Sequence, residues 1–162
     1  MISDSFKVEG GHSLNGILQP QGAKNEVLQI LCAVLLTSEK ITVYNVPDII
    51  DVRLLIKLLS GLGVQVERLG PESYSFEARD IDLEHFKSPE FYENSRKIRG
   101  SVMLIGPLLA RFNKAYIPKP GGDKIGRRRI DTHILGFQKL GATFHYNDKD
   151  ATYTIDASKL QG

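Results

Sequence analysis

A single cysteine, Cys32, leaves no partner for an internal disulfide, so this chain of 162 residues has to rest on a hydrophobic core. Charge of one sign is also missing. The 21 Lys and Arg nearly balance 19 Asp and Glu, a formal net charge of +2, without the basic excess of a general nucleic-acid or membrane-surface binder. No long apolar run is present either: Ile30 to Leu36 is far too short to span a bilayer. The start, Met1 to Lys7, has no basic stretch followed by an apolar segment, so a secretory signal is not expected. His12, His85 and His145 show no metal-ligand spacing, and neither a metal nor a cofactor is expected. These absences point to a soluble, cytoplasmic protein without nucleic-acid or membrane partners. The hydrophobic share of 41% and charged share of 25% are those of a globular chain, long enough for one sizeable core.

What is present is an internal repeat. A helix-like apolar run ends at Leu35-Leu36, and Ile41 to Val43 then reads as a strand; the same pair returns at Leu108-Leu109 and Ala115 to Ile117. Further on, Leu62-Gly63-Val64 is matched by Leu140-Gly141-Ala142. Each match precedes two strand-like runs, Val64 to Glu67 with Tyr74 to Glu77, then Thr143 to Tyr146 with Thr152 to Ile155. Each unit therefore reads strand, helix, strand, helix, strand, strand, an α/β (α+β) pattern. Gly63 and Gly141 stand where a helix stops and the chain turns. The helix predicted over Asn25 to Leu36 is apolar around most of its circumference, which implies burial on several sides. Its counterpart, Ile98 to Phe112, contains Gly106-Pro107, which should kink or interrupt it. Two such helices call for more sheet than two units supply, so the chain is expected to be a fragment or to need a partner.

The second unit carries its extra residues between Ile117 and Asp131. An insertion in one copy of a repeat usually forms a loop on the working face. The stretch Pro118 to His133 packs five cations and the glycines Gly121, Gly122 and Gly126 together. Glycines let backbone approach a ligand, and lysine and arginine supply charge for phosphate or carboxylate. Asp123 among those cations is a candidate proton donor or acceptor. A P-loop is excluded, because Arg127-Arg128 replaces the Lys-Ser/Thr that phosphate and magnesium require. A nucleic-acid patch lacks a stacking platform, since no aromatic lies between Tyr116 and Phe137. A solvated turn without function is the remaining bland alternative.

Read as Pro-Gly-Gly-x-x-Ile-Gly-x-Arg-x-x-Asp-x-His, positions 120 to 133 resemble the catalytic loop of the UDP-N-acetylglucosamine enolpyruvyl transferases (1-carboxyvinyltransferases). Gln21-Gly22-Ala23-Lys24-Asn25 resembles that family's Ser-Gly-Ala-Lys-Asn. Ile98-Arg99-Gly100-Ser101 and Gly106-Pro107-Leu108-Leu109-Ala110-Arg111 resemble its Met-Arg-Ala-Ser and Gly-Pro-Leu-x-Ala-Arg. The similarity runs from about Phe6 to the end. It implies the enolpyruvyl transferase fold: repeated β-α-β-α-β-β units, three per domain, with buried helices surrounded by sheets. Residues 1–21 would be amino-terminal strands that join the other domain, and 22–162 two units of the first catalytic domain, the third unit and second domain being absent.

The resemblance also implies roles. Lys24 and Asn25 would bind phosphoenolpyruvate at a helix start, where free N–H groups favour anions. Arg128 would neutralise its phosphate or carboxylate. Arg99, together with Arg128, Arg129, Ile130, Asp131 and Thr132, would contact the UDP-sugar. Lys24, Asp123 and Arg128 would be the catalytic set. Two positions depart from the pattern. Asp123 replaces the family's usual cysteine; it can carry a proton but cannot form a thioether. Arg129 replaces a proline, so Arg128 and Arg129 both remain candidates for the phosphate, with the spacing to Asp131 and His133 favouring Arg128. His133 either lines the uridine site, caps its helix or is merely packed. The implied activity is transfer of the enolpyruvyl group to the 3-hydroxyl of UDP-N-acetylglucosamine, the first committed step of peptidoglycan synthesis, with the remainder of the enzyme or a complementary chain as partner. The isolated chain is expected to turn over negligibly. The alternatives are a 3-phosphoshikimate 1-carboxyvinyltransferase, which Gly122-Asp123 also fits, and a non-catalytic module for phosphorylated ligands.

Overall fold

The computed structural model describes residues 5–119, 121, 129–158 and 160–161. Residues 5–23 form neither helix nor strand. The first unit then runs α1 (Lys24–Ala33), tightening into a 3₁₀ turn at Val34–Leu36, β1 (Lys40–Val43), α2 (Ile50–Gly61), β2 (Gln65–Gly70) and β3 (Ser73–Glu77). A helical connection follows: a 3₁₀ helix at Leu83–Lys87, α3 (Pro89–Ser95) and a second 3₁₀ helix at Arg99–Leu104. The second unit is α4 (Ile105–Phe112), β4 (Lys114–Pro118), α5 (Asp131–Lys139), β5 (Thr143–Asn147) and β6 (Thr152–Asp156).

The repeat holds in space. Each unit builds a three-stranded antiparallel sheet with its last strand in the middle, in the orders β1-β3-β2 and β4-β6-β5. The predicted turn glycines match as well. Gly63 and Gly141 take left-handed φ of +95° and +98°. Gly63 donates to the Ser60 carbonyl and Val64 to that of Leu59. Gly141 and Ala142 repeat the pair with Gln138 and Phe137. Both helices thus end in the same Schellman geometry, which satisfies carbonyls that a helix end would otherwise strand.

The structure departs from the sequence reading in two places, the strand at the head of each unit and the burial of α1. The strand expected at the head of each unit has no counterpart among the described residues. Before α4 the reason is capping: Asp82 accepts from the backbone of Glu84 and His85, Ser88 accepts from that of Phe91, and Pro89 opens α3, so helix-start signals prevail. The break expected within Ile98 to Phe112 is there, as an interruption: the segment is two pieces. Pro107 lies in the first turn of α4, where it needs no donor, and the turn before it tightens to 3₁₀. Burial of α1 is one-sided: Val27, Leu28, Leu31 and Cys32 are in the core, while Ile30 and Leu36 on the other side are 41% and 53% exposed.

One core connects the units, drawing Leu31 and Leu35 from the first helix, Leu55 and Leu59 from α2, Phe76 from β3, and Leu108, Leu109, Ile117 and Ile155 from the second unit. Arg111 on α4 ties them by hydrogen bonding. Its Nη1 faces the carbonyls of Leu35, Thr37 and Ala78 at 3.1, 3.0 and 2.6 Å.

Cys32 sits inside this core, and burial pushes its thiol from 9.0 up to about 12. The unfolded thiol ionises first as pH rises, so this burial stops favouring the native state above about pH 9, and stability declines from there towards pH 12. At pH 8 the folded chain should resist iodoacetamide and gain one adduct only in urea, a contrast that intact-mass spectrometry reads directly.

Candidate functional site

Four helix starts meet around one cleft of about 350 Å³. Lys24 and Asn25 come from the first turn of α1, Asp51 from that of α2, Arg99 and Gly100 from the 3₁₀ helix, and His133 from that of α5. The N-cap residues at these four starts are Ala23, Ile49, Ile98 and Ile130, none with a side chain able to accept a hydrogen bond. Away from the cleft, the Leu83–Lys87 turn and α3 do have capping side chains. Uncapped first turns present backbone N–H groups and the positive ends of helix dipoles, so their convergence builds a cradle for anions.

Charged side chains add to it. Lys24 Nζ lies 2.8 Å from Asp51 Oδ2. Arg99 Nη2 donates to the Arg129 carbonyl at 3.3 Å, and Arg129 Nε pairs with Asp131 Oδ2 at 2.5 Å. The far end of the basic loop is thereby fastened to the segment that lines the cleft with Lys24. The near end is held there too: a Cβ on Gly121 would overlap the carbonyl of Arg96. Of the two segments singled out in the sequence, the described residues Lys24, Asn25 and His133 line this one cleft.

Taken residue by residue, Lys24, Asn25 and Arg99 line the cleft, and Arg129 and Asp131 pair beside it. Ile130 is buried, so only its backbone is available to a ligand, and Thr132 is exposed without lining the cleft. Asp123 and Arg128 lie outside the described residues. Sequence reasoning missed Asp51, Lys97 and Gln29, which also line it. Lys97 carried a signal, a second cation two positions before Arg99; Asp51 carried none, because its partner is 27 residues away. No group of three or more His, Cys, Asp or Glu side chains among the described residues could hold a metal. A wider groove of about 770 Å³ runs between the Leu83–Lys87 turn and β4 and β6, but it gathers none of the residues singled out.

Gly22 sets the approach to α1. A Cβ there would overlap the Asn45 carbonyl in the turn that leads to α2. Gly22→Ala should push α1 and α2 apart at the cleft and lower stability by about 1–3 kcal/mol, as overpacking does. Urea unfolding checks the magnitude, and amide shifts at Lys24 and Asp51 check the place.

The family model described as EPSP synthase (3-phosphoshikimate 1-carboxyvinyltransferase) matches residues 8–162. The UDP-N-acetylglucosamine 1-carboxyvinyltransferase of Bacteroides fragilis is 58% identical over 158 residues, and that of Porphyromonas gingivalis 52%. The same-named protein of Treponema pallidum is 40% identical over 158 residues, 97% of this chain and 35% of its own length. For the first two, the match covers 98% of this chain and 36% of the relative, so the chain spans just over a third of their length. The solved enolpyruvyl transferase NikO from Streptomyces tendae superposes with a TM-score of 0.72 at 22% identity, over 94% of this chain and 32% of that one. That likeness confirms the α/β fold expected from the repeat.

Proposed function

Given that the chain belongs to the EPSP synthase family, we propose that it supplies one wall of an active site that transfers the enolpyruvyl group of phosphoenolpyruvate to the 3-hydroxyl of UDP-N-acetylglucosamine. The observation that carries this is the meeting of four uncapped helix starts with Lys24 and Arg99 at one cleft. A small phosphorylated acid and a diphosphate both match such a cradle. The names of the relatives favour the UDP-sugar as acceptor.

In this reading the sugar 3-hydroxyl gives its proton to a base from the second domain, its oxygen bonds to C2 of phosphoenolpyruvate and C3 takes a proton, giving a tetrahedral ketal. Loss of a C3 proton then expels phosphate and restores the vinyl group. Lys24 and Arg128 stabilise the anionic groups, with Asn25 beside them, and Asp123 supplies or shuttles the proton. Arg99 and the run Arg128 to Thr132 hold the nucleotide-sugar. Asp123 and Arg128 enter through the sequence motif alone. Residues 1–21 would add as strands to a second domain, and 22–162 would be two units of the first. A second domain closing over the cleft would exclude water, so this chain alone should turn over negligibly. We place the reaction in the cytoplasm, at the first committed step of peptidoglycan synthesis. No helix among the described residues is long and apolar enough to cross a membrane.

The alternative acceptor is shikimate 3-phosphate, which the matching family's description favours. Titrating this chain with each acceptor in the presence of phosphoenolpyruvate separates the two. Amide shifts at Lys24, Asn25 and Arg99 should follow UDP-N-acetylglucosamine; shifts with shikimate 3-phosphate only would reverse the assignment. With aspartate at 123, epoxides of the fosfomycin type, which alkylate a thiol, should leave no adduct, and covalent labelling of Asp123 would refute this.

A further inference from the structure

We propose that Asp51 is a positioning residue for Lys24, its carboxylate drawing the lysine ammonium across the mouth of the cleft; the inference rests on the phosphoenolpyruvate reading above. Lys24 is the first residue of α1. A cation is poorly placed there, because the helix dipole and the first-turn N–H groups repel positive charge. Asp51 stands in the first turn of α2, and its Oδ2 accepts from Lys24 Nζ at 2.8 Å. Both residues line the same cleft.

The pair is half exposed, 50% for the lysine side chain and 35% for the aspartate. Ion pairs so open to solvent add little to stability. What Asp51 can fix is direction. The aspartate is short and carried on a helix packed against α1, whereas the lysine has four rotatable bonds. Asp51 also places one negative charge beside a cradle otherwise built for anions. A carboxylate there opposes ligand binding unless its work is done through Lys24, and this makes the two roles separable.

The test is a double-mutant cycle on this chain, with phosphoenolpyruvate affinity read by NMR titration. If Asp51 acts through Lys24, Asp51→Asn weakens binding about fivefold when Lys24 is present and has no effect, or tightens binding slightly, in a Lys24→Met background. Asp51→Glu should recover part of the loss. An equal loss in both backgrounds, or no loss beside Lys24, overturns the inference. A ligand-free readout accompanies it: the two Lys24 Hε protons, distinct when the side chain is held, should merge in Asp51→Asn. Failure to merge sinks the positioning role. Merging, together with a Lys24→Met variant that binds as tightly as the parent, keeps the pair and sinks the phosphoenolpyruvate reading instead.

Discussion

Arg111→Met should lower the stability of the chain by about 3 kcal/mol, as expected when a half-buried charged donor to several carbonyls is lost. The melting temperature should fall by roughly 6–12 °C for a domain of this size. Arg111 serves three acceptors from two parts of the first unit. Leu35 and Thr37 belong to the end of the first helix and the residue after it, where carbonyls lack intrahelical donors and the dipole is negative. Ala78 follows β3. Methionine fills much of the same volume and still packs on Phe112, whose ring now lies 4.9 Å from the guanidinium carbon. It strands the three carbonyls, so the loss should exceed that of an ordinary surface arginine. Lysine should recover part of it, with a compact ammonium reaching fewer acceptors. Thermal and urea unfolding of the two variants, side by side, measure this. A methionine variant within about 0.5 kcal/mol of the parent, the range of ordinary surface substitutions, would show that water takes over the carbonyls.

Lys24→Met should weaken phosphoenolpyruvate binding by about 10–100-fold, the value of a charge-assisted hydrogen bond to an anion. Stability should change by less than about 1 kcal/mol, since the pair with Asp51 is solvent-exposed. That contrast separates a binding role from a folding one. The salt dependence of binding should weaken in parallel, because one cation fewer meets the ligand. Calorimetric titration at two ionic strengths tests both statements. Unchanged affinity would remove Lys24 from the site.

Much of the architecture could be read from the chain because repetition amplifies weak signals. The paired strands β2 with β3 and β5 with β6, and the glycines that end α2 and α5, were visible as two copies of one pattern. The helical connection from Leu83 to Leu104 was not, since it occurs once and its caps, Asp82 and Ser88, act over only a few residues. One-sided burial of α1 escaped notice because periodicity reports which residues are apolar and says nothing of what lies opposite them. Of the residues lining the cleft, Lys24, Asn25 and Arg99 had been singled out through motifs. The convergence of helix starts was hidden for a physical reason: helix beginnings are normally recognised by Ser, Thr, Asp or Asn, and here they carry alanine and isoleucine. Asp51 stayed hidden because only the packing of α1 on α2 brings it to Lys24.

The alanine at 23 sets a conflict between durability and chemistry. It is exposed, so serine or aspartate there would follow the usual recipe for a sturdier protein, by about 1 kcal/mol. Either would also turn an oxygen lone pair onto the amides that an incoming phosphate needs. Heat-resistant variants selected from this molecule should therefore leave Ala23 alone, and any that accept such a change should prove poorer hosts for phosphorylated ligands.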